Sequence, residues 1–181
     1  HPPTPDEVGA EFVEIYNPTS EPIALFNETG PWRLEGAVTF DLPAGQVLQP
    51  GGRALMVGFD PVNNPAQLAQ FLASYGLTEA PGPIWGPWLG SLSNRTERLA
   101  LQRPEAPDLP GDPVGWVIVD EVLYFDRKPF DRSADGDGPS LHRRLISGHG
   151  WNPESWVALP PTPGTGIPAD TPADPAWLQL H

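Results

Sequence analysis

The chain of 181 residues has no cysteine, and that absence removes a good deal of chemistry. A disulfide framework, thiolate zinc sites and a thiol nucleophile are all excluded. Cations are scarce as well: 10 Lys and Arg stand against 23 Asp and Glu, for a net charge of −13. Nucleic-acid affinity rests on cations that neutralise phosphates, so this balance argues against a nucleic-acid partner and against an anionic membrane surface. No apolar run approaches the ~18 residues that would span a bilayer. The four histidines show no metalloprotease spacing, and no G-x-S-x-G elbow, Walker loop or G-x-G-x-x-G occurs. The sequence therefore points away from an enzyme.

What is abundant is turn-forming residues: 26 Pro and 19 Gly. Each Pro inside a helix costs roughly 3 kcal/mol, so a helix bundle is excluded. With 39% hydrophobic residues and seven Trp, a packed core is still attainable. The runs 11–16, 23–26, 32–34, 38–40, 53–58, 97–102, 114–125, 140–145 and 156–159 are rich in β-formers and bounded by turn residues. Within 114–125, Asp120 and Glu121 interrupt both faces, which predicts a bend, a bulge or a rim position. One helix is predicted over about 64–76. Asn64 caps it, Pro65 suits its first position, Leu68, Phe71, Leu72 and Tyr75 recur at helical spacing, and Gly76 ends it. The whole reads as an all-β sandwich with one inserted helix and long Pro/Gly-rich loops.

Six blocks in order carry a family resemblance. They are Glu11 to Pro18 (EFVEIYNP), Leu42 to Gly52 (LPAGQVLQPGG), Leu92 to Leu101 (LSNRTERLAL), Val119 to Tyr124 (VDEVLY), Asp135 to Arg143 (DGDGPSLHR), and Asn152 to Trp156 with Thr162-Pro163-Gly164. Together they resemble the lamin-tail domains of bacterial secreted proteins, over roughly residues 11–164. The resemblance implies an immunoglobulin-like β-sandwich, an extracellular or cell-surface location and no catalytic residues. It also implies a strand just before a segment like His1-Pro2-Pro3, which this chain does not show. The open sheet edge left behind invites pairing with another segment or another chain. On this division residues 1–164 form the sandwich and 165–181 a Pro-rich linker and tail. No export signal is visible in the chain.

The expected function is a non-catalytic adhesion, assembly or spacer module working through protein–protein contacts or self-association, with strand-edge pairing into a polymer as one mode. The alternative is a carbohydrate-binding accessory module for a polysaccharide. Two groups of residues are candidates for partner or glycan contact. Trp85 and Trp88 sit in a loop stiffened by Pro and Gly, and read either as an exposed platform or as a cap on one end of the sandwich. Trp177, Leu178 and Leu180 form an apolar flag that is either a strand for a neighbouring copy or a stub. Trp32, Trp116 and Trp156 are expected in the core. Residues 61–88 are expected to be an insertion that can be removed without unfolding the sandwich. Asp131, Asp135 and Asp137 read first as a turn, and their carboxylates are also the hard-oxygen donors that a Ca²⁺ ion takes. No other cofactor is expected. Glu14 and Asp120 are expected to accept structural hydrogen bonds rather than to act as a catalytic pair.

Overall fold

A computed structural model describes residues 8–92, 96–125, 139–145, 148–166 and 178–180. Among the described residues, fifteen strands and one α-helix follow each other. The strands are β1 (Phe12–Tyr16), β2 (Ile23–Ala24), β3 (Phe26–Asn27), β4 (Gly30–Pro31), β5 (Arg33–Gly36), β6 (Val38–Asp41), β7 (Val47–Leu48) and β8 (Arg53–Val57). After helix α1 (Pro65–Ser74) come β9 (Ile84–Trp85), β10 (Leu89–Gly90), β11 (Thr96–Glu105), β12 (Gly115–Phe125), β13 (Ser140–Arg143), β14 (Trp156–Leu159) and β15 (Leu178–Leu180).

Two sheets dominate. The first has six strands in the order β14-β13-β15-β1-β8-β9, and the second five in the order β10-β6-β5-β11-β12. All pairings within them are antiparallel except β8 with β9. One apolar cluster joins them. Val13, Ile15, Ala54, Met56 and Trp156 from the first sheet meet Leu34, Val38, Leu99, Leu101 and Val122 from the second. These are alternate residues on their strands, as a half-buried strand requires. The expected all-β sandwich with one helix is what the chain forms.

The first sheet is covered on its outer face as well, so β1 reads as a nearly unbroken buried run and not as an alternating one. Phe12, Leu55 and Val57 point outward and lie with Phe59 under Phe71 of α1. Phe71 meets Phe12 edge-on at 5.9 Å, Tyr75 at 5.2 Å and Phe59 at 5.8 Å. The helix begins where expected, with the Asn64 side chain accepting the Gln67 N–H at 3.2 Å. The Tyr75 hydroxyl donates to the Ala10 carbonyl and ties the helix to the start of β1.

Residues 61–88 are therefore not a removable insertion. The helix supplies a fully buried Phe, β9 pairs with β8, and Trp88 belongs to the inner core. Trp116 is a second correction. It is half-buried, and the Arg33 guanidinium stacks 3.7 Å from its ring centroid. Trp116 stands opposite Pro104 and Ile118 opposite Gln102, which sets both on the outer face of the second sheet. Trp32 and Trp156 are core residues as expected.

The β12 strand lies at a sheet edge. Its register with β11 shifts between Leu101 and Gln102, leaving Val119 as the extra residue. Of the bend, bulge or rim position that the broken alternation allowed, the strand forms a bulge beside Asp120, and it turns the Asp120 side inward. There Asp120 meets Arg143 of the facing sheet at 3.4 Å, with both side chains nearly sealed from water. Further along the edge, the Glu121 carbonyl stands where a side chain on Gly150 would be, so only glycine permits that approach.

Candidate functional site

The outer face of the first sheet divides in two. One half is the aromatic patch under α1. The other carries Glu14 and Tyr16 of β1, Arg53 of β8 and His142 of β13, beneath the segment 160–166. Glu14 and His142 are fully buried. Arg53 pairs with Glu14 through Oε1, and its guanidinium lies 4.0 Å from the Tyr16 ring centroid. Glu14 Oε2 accepts the Gly164 N–H at 2.6 Å. His142 Nε2 lies 3.1 Å from the Pro160 carbonyl oxygen.

The Thr162 to Gly166 turn is shaped for this task. Thr165 N–H and Gly166 N–H both donate to the Thr162 carbonyl, at 3.1 and 3.0 Å. Gly164 and Gly166 have φ of +80° and +56°, values that L side chains rarely adopt. A side chain at Gly166 would also strike the Arg53 guanidinium. The glycines let the turn lie flat on the buried ion pair.

Electrostatically the cluster is a clamp. Burial pushes the Glu14 carboxyl above its ordinary range, although the Arg53 charge and the Gly164 N–H oppose that. Burial pushes His142 down; the Pro160 carbonyl opposes this and the Arg53 charge adds to it. Perturbed groups of this kind mark active sites when they line a cleft. Here both oxygens of Glu14 are already engaged and both side chains are at 0% exposure, so the arrangement holds backbone segments together. The expectation of structural hydrogen bonds at Glu14 matches what is observed.

The motif residue Asn17 works in the same way. It is fully buried. Its Nδ2 donates to the Glu21 and Leu48 carbonyls at 2.8 and 2.9 Å. Its Oδ1 accepts the Thr19 N–H at 2.9 Å and the Thr19 hydroxyl at 2.7 Å. One side chain thus fastens the turn after β1 to the turn after β7.

Between β1 and β13 lies a slot that takes a strand. In this structure β15 fills it: Val13, Glu14 and Ile15 pair with Leu180, Gln179 and Leu178, and Leu141 pairs with Leu180. Leu178 and Leu180 are thus neither an unpaired stub nor edge residues, but part of a central strand. Trp177 lies outside the described residues, as do Asp131, Asp135 and Asp137. Among the described residues no group of three acidic or histidine side chains is placed to hold a metal ion. No described helix is long and apolar enough to cross a membrane.

The Trp85/Trp88 loop does not present two open rings. Trp88 is 6% exposed and packs in the core, and Trp85 is half-buried against it. The segment runs between the edge strands of the two sheets, from β9 to β10. Among the described residues the exposed tryptophan is instead Trp151, which the sequence did not single out. The available signal was a Trp in a Gly-punctuated loop, Gly148-His149-Gly150-Trp151, just before the closing motif.

No family model matches the chain, and neither a curated protein nor a solved structure matches it.

Proposed function

We propose that the chain is a non-catalytic adhesion, assembly or spacer module of an extracellular or cell-surface protein, making protein–protein contacts by strand addition. One observation carries this reading: the first sheet accepts a short strand from far along the chain between two strands that are otherwise neighbours across a gap. Main-chain pairing of this kind supplies affinity without demanding particular side chains. The six ordered blocks that resemble lamin-tail domains support the same reading, as does an ionic cluster closed to substrate. Delivered by a second copy, the 178–180 segment would link molecules into a swapped dimer or a polymer.

Because the chain has no cysteine, the test is clean. Ile15→Cys is placed in one copy and Leu178→Cys in a differently tagged copy, since these positions are register partners. Mixing under oxidising conditions is expected to yield a disulfide between the two tags. Light scattering should show a larger species for the full chain that is lost when residues 165–181 are removed. A monomer in both forms, with no disulfide between tags, overturns self-association by this strand.

A further inference from the structure

The loop between β13 and β14 carries an aromatic surface that the fold does not use. Among the described residues Trp151 is the one exposed tryptophan, at 56%. Its indole stacks on His149, with centroids 4.8 Å apart and planes within 7°. The imidazole backs one face and leaves the other toward solvent.

The platform is held from below at several points. Arg143 Nη2 donates to the Gly148 carbonyl at 2.6 Å. Trp156 Nε1 donates to the Gly150 carbonyl at 2.9 Å. The Asn152 N–H donates to the His149 carbonyl at 3.0 Å. Gly150 lies against the Glu121 carbonyl of β12. Arg143 and Trp156 are themselves buried, and Arg143 is paired with Asp120, so the loop is braced against both sheets. A ring fixed in advance loses little freedom when a ligand stacks on it.

The surroundings select the ligand. Arg144 and Glu154 are exposed and Asn152 is half-buried, so the loop that carries the indole also carries polar side chains capable of donating and accepting. Protein-docking aromatics sit at the centre of desolvated apolar patches. Here Leu145 is the one exposed aliphatic residue of the loop's described part. A flat aromatic face on a loop with polar side chains matches a pyranose ring, which offers C–H groups on its face and hydroxyls at its edge. The net charge of −13 opposes an acidic glycan or a nucleic acid.

We propose that Trp151, backed by His149 on a loop that also carries Arg144, Asn152 and Glu154, is a stacking subsite for one ring of a neutral polysaccharide. The site is independent of the strand slot and uses none of its residues. The test follows the seven indole N–H signals of the full chain by NMR while cellohexaose, mannohexaose and chitohexaose are added in turn. At least one sugar is expected to move the Trp151 signal saturably, with half-saturation in the millimolar range or below. Trp151→Ala should weaken that binding about tenfold or more, and Trp151→Phe should retain part of it. The thermal midpoint of each variant should stay within about 2 °C of the parent, as befits an exposed side chain. Failure of all three sugars to shift the Trp151 signal overturns the proposal. So does sugar binding that survives in Trp151→Ala. So does a Trp151 signal that shifts on dilution without sugar, which would mark the ring as a protein contact.

Discussion

Truncating Phe71 asks directly whether helix α1 is part of the core. The side chain is 1% exposed and touches Phe12, Phe59 and Tyr75, all within 6 Å of it by ring centroid. Phe71→Ala would remove the ring and leave a hole over the outer face of β1 and β8. Loss of a buried Phe costs about 3–5 kcal/mol once the cavity is included. Each kcal/mol lowers the midpoint by roughly 2–4 °C in a domain of this size, so a drop of about 6–20 °C is expected. Phe71→Leu keeps much of the volume and should recover more than half of the loss. Urea unfolding followed by tryptophan fluorescence measures both. A helix that merely decorates the sandwich would yield under ~1 kcal/mol, and a value that small for Phe71→Ala refutes the argument.

Asn17→Ala should destabilise by about 2–4 kcal/mol, because the lost amide leaves the Glu21 and Leu48 carbonyls without their donors; Asn17→Asp, which cannot donate there, should be no better, and equilibrium unfolding reads both. Gly150→Ala should cost at least 1–3 kcal/mol, about the range for overpacking, through collision with the Glu121 carbonyl, again by urea unfolding. The buried pair His142 and Glu14 should show in the pH dependence of stability. His142 has a folded value below its ordinary 6.5, so its contribution is full above that pH and is lost as pH falls through the lowered value. Glu14 is raised above 4.5, so its contribution is present below 4.5 and lost as pH rises through the raised value. On acidification below 6.5 the His142 contribution is lost while that of Glu14 is gained, so His142→Gln should shift the slope toward rising stability relative to the parent. An unchanged slope in the variant would remove His142 as its source.

Much of the architecture could be read from the residues because local signals agreed with each other. Asn64, Pro65 and the Leu68–Phe71–Leu72–Tyr75 spacing located the helix, and the interrupted alternation at Asp120 and Glu121 located the irregularity that proves to be a bulge. Tryptophan placement was harder. Trp88 and Trp151 both follow Gly-rich segments, yet one is buried and the other open. The difference lies in distant partners: Trp88 packs beside Gly58, while Trp151 is lifted outward by a loop bound to Arg143 and Trp156. The Glu14–Arg53–His142 cluster was invisible for a related reason. Its members come from three strands far apart in the chain, with β15 lying between two of them, and no sequence interval encodes that meeting.

The central place of β15 in the first sheet has a mechanical consequence. Tension applied to the chain beyond Leu180 would bear first on the pairing of β15 with β1 and β13, and only then on the Gly164 N–H that holds the turn to Glu14. A tether attached there would thus be anchored in the middle of the sheet, where load spreads across neighbouring strands, instead of peeling one strand from a free margin.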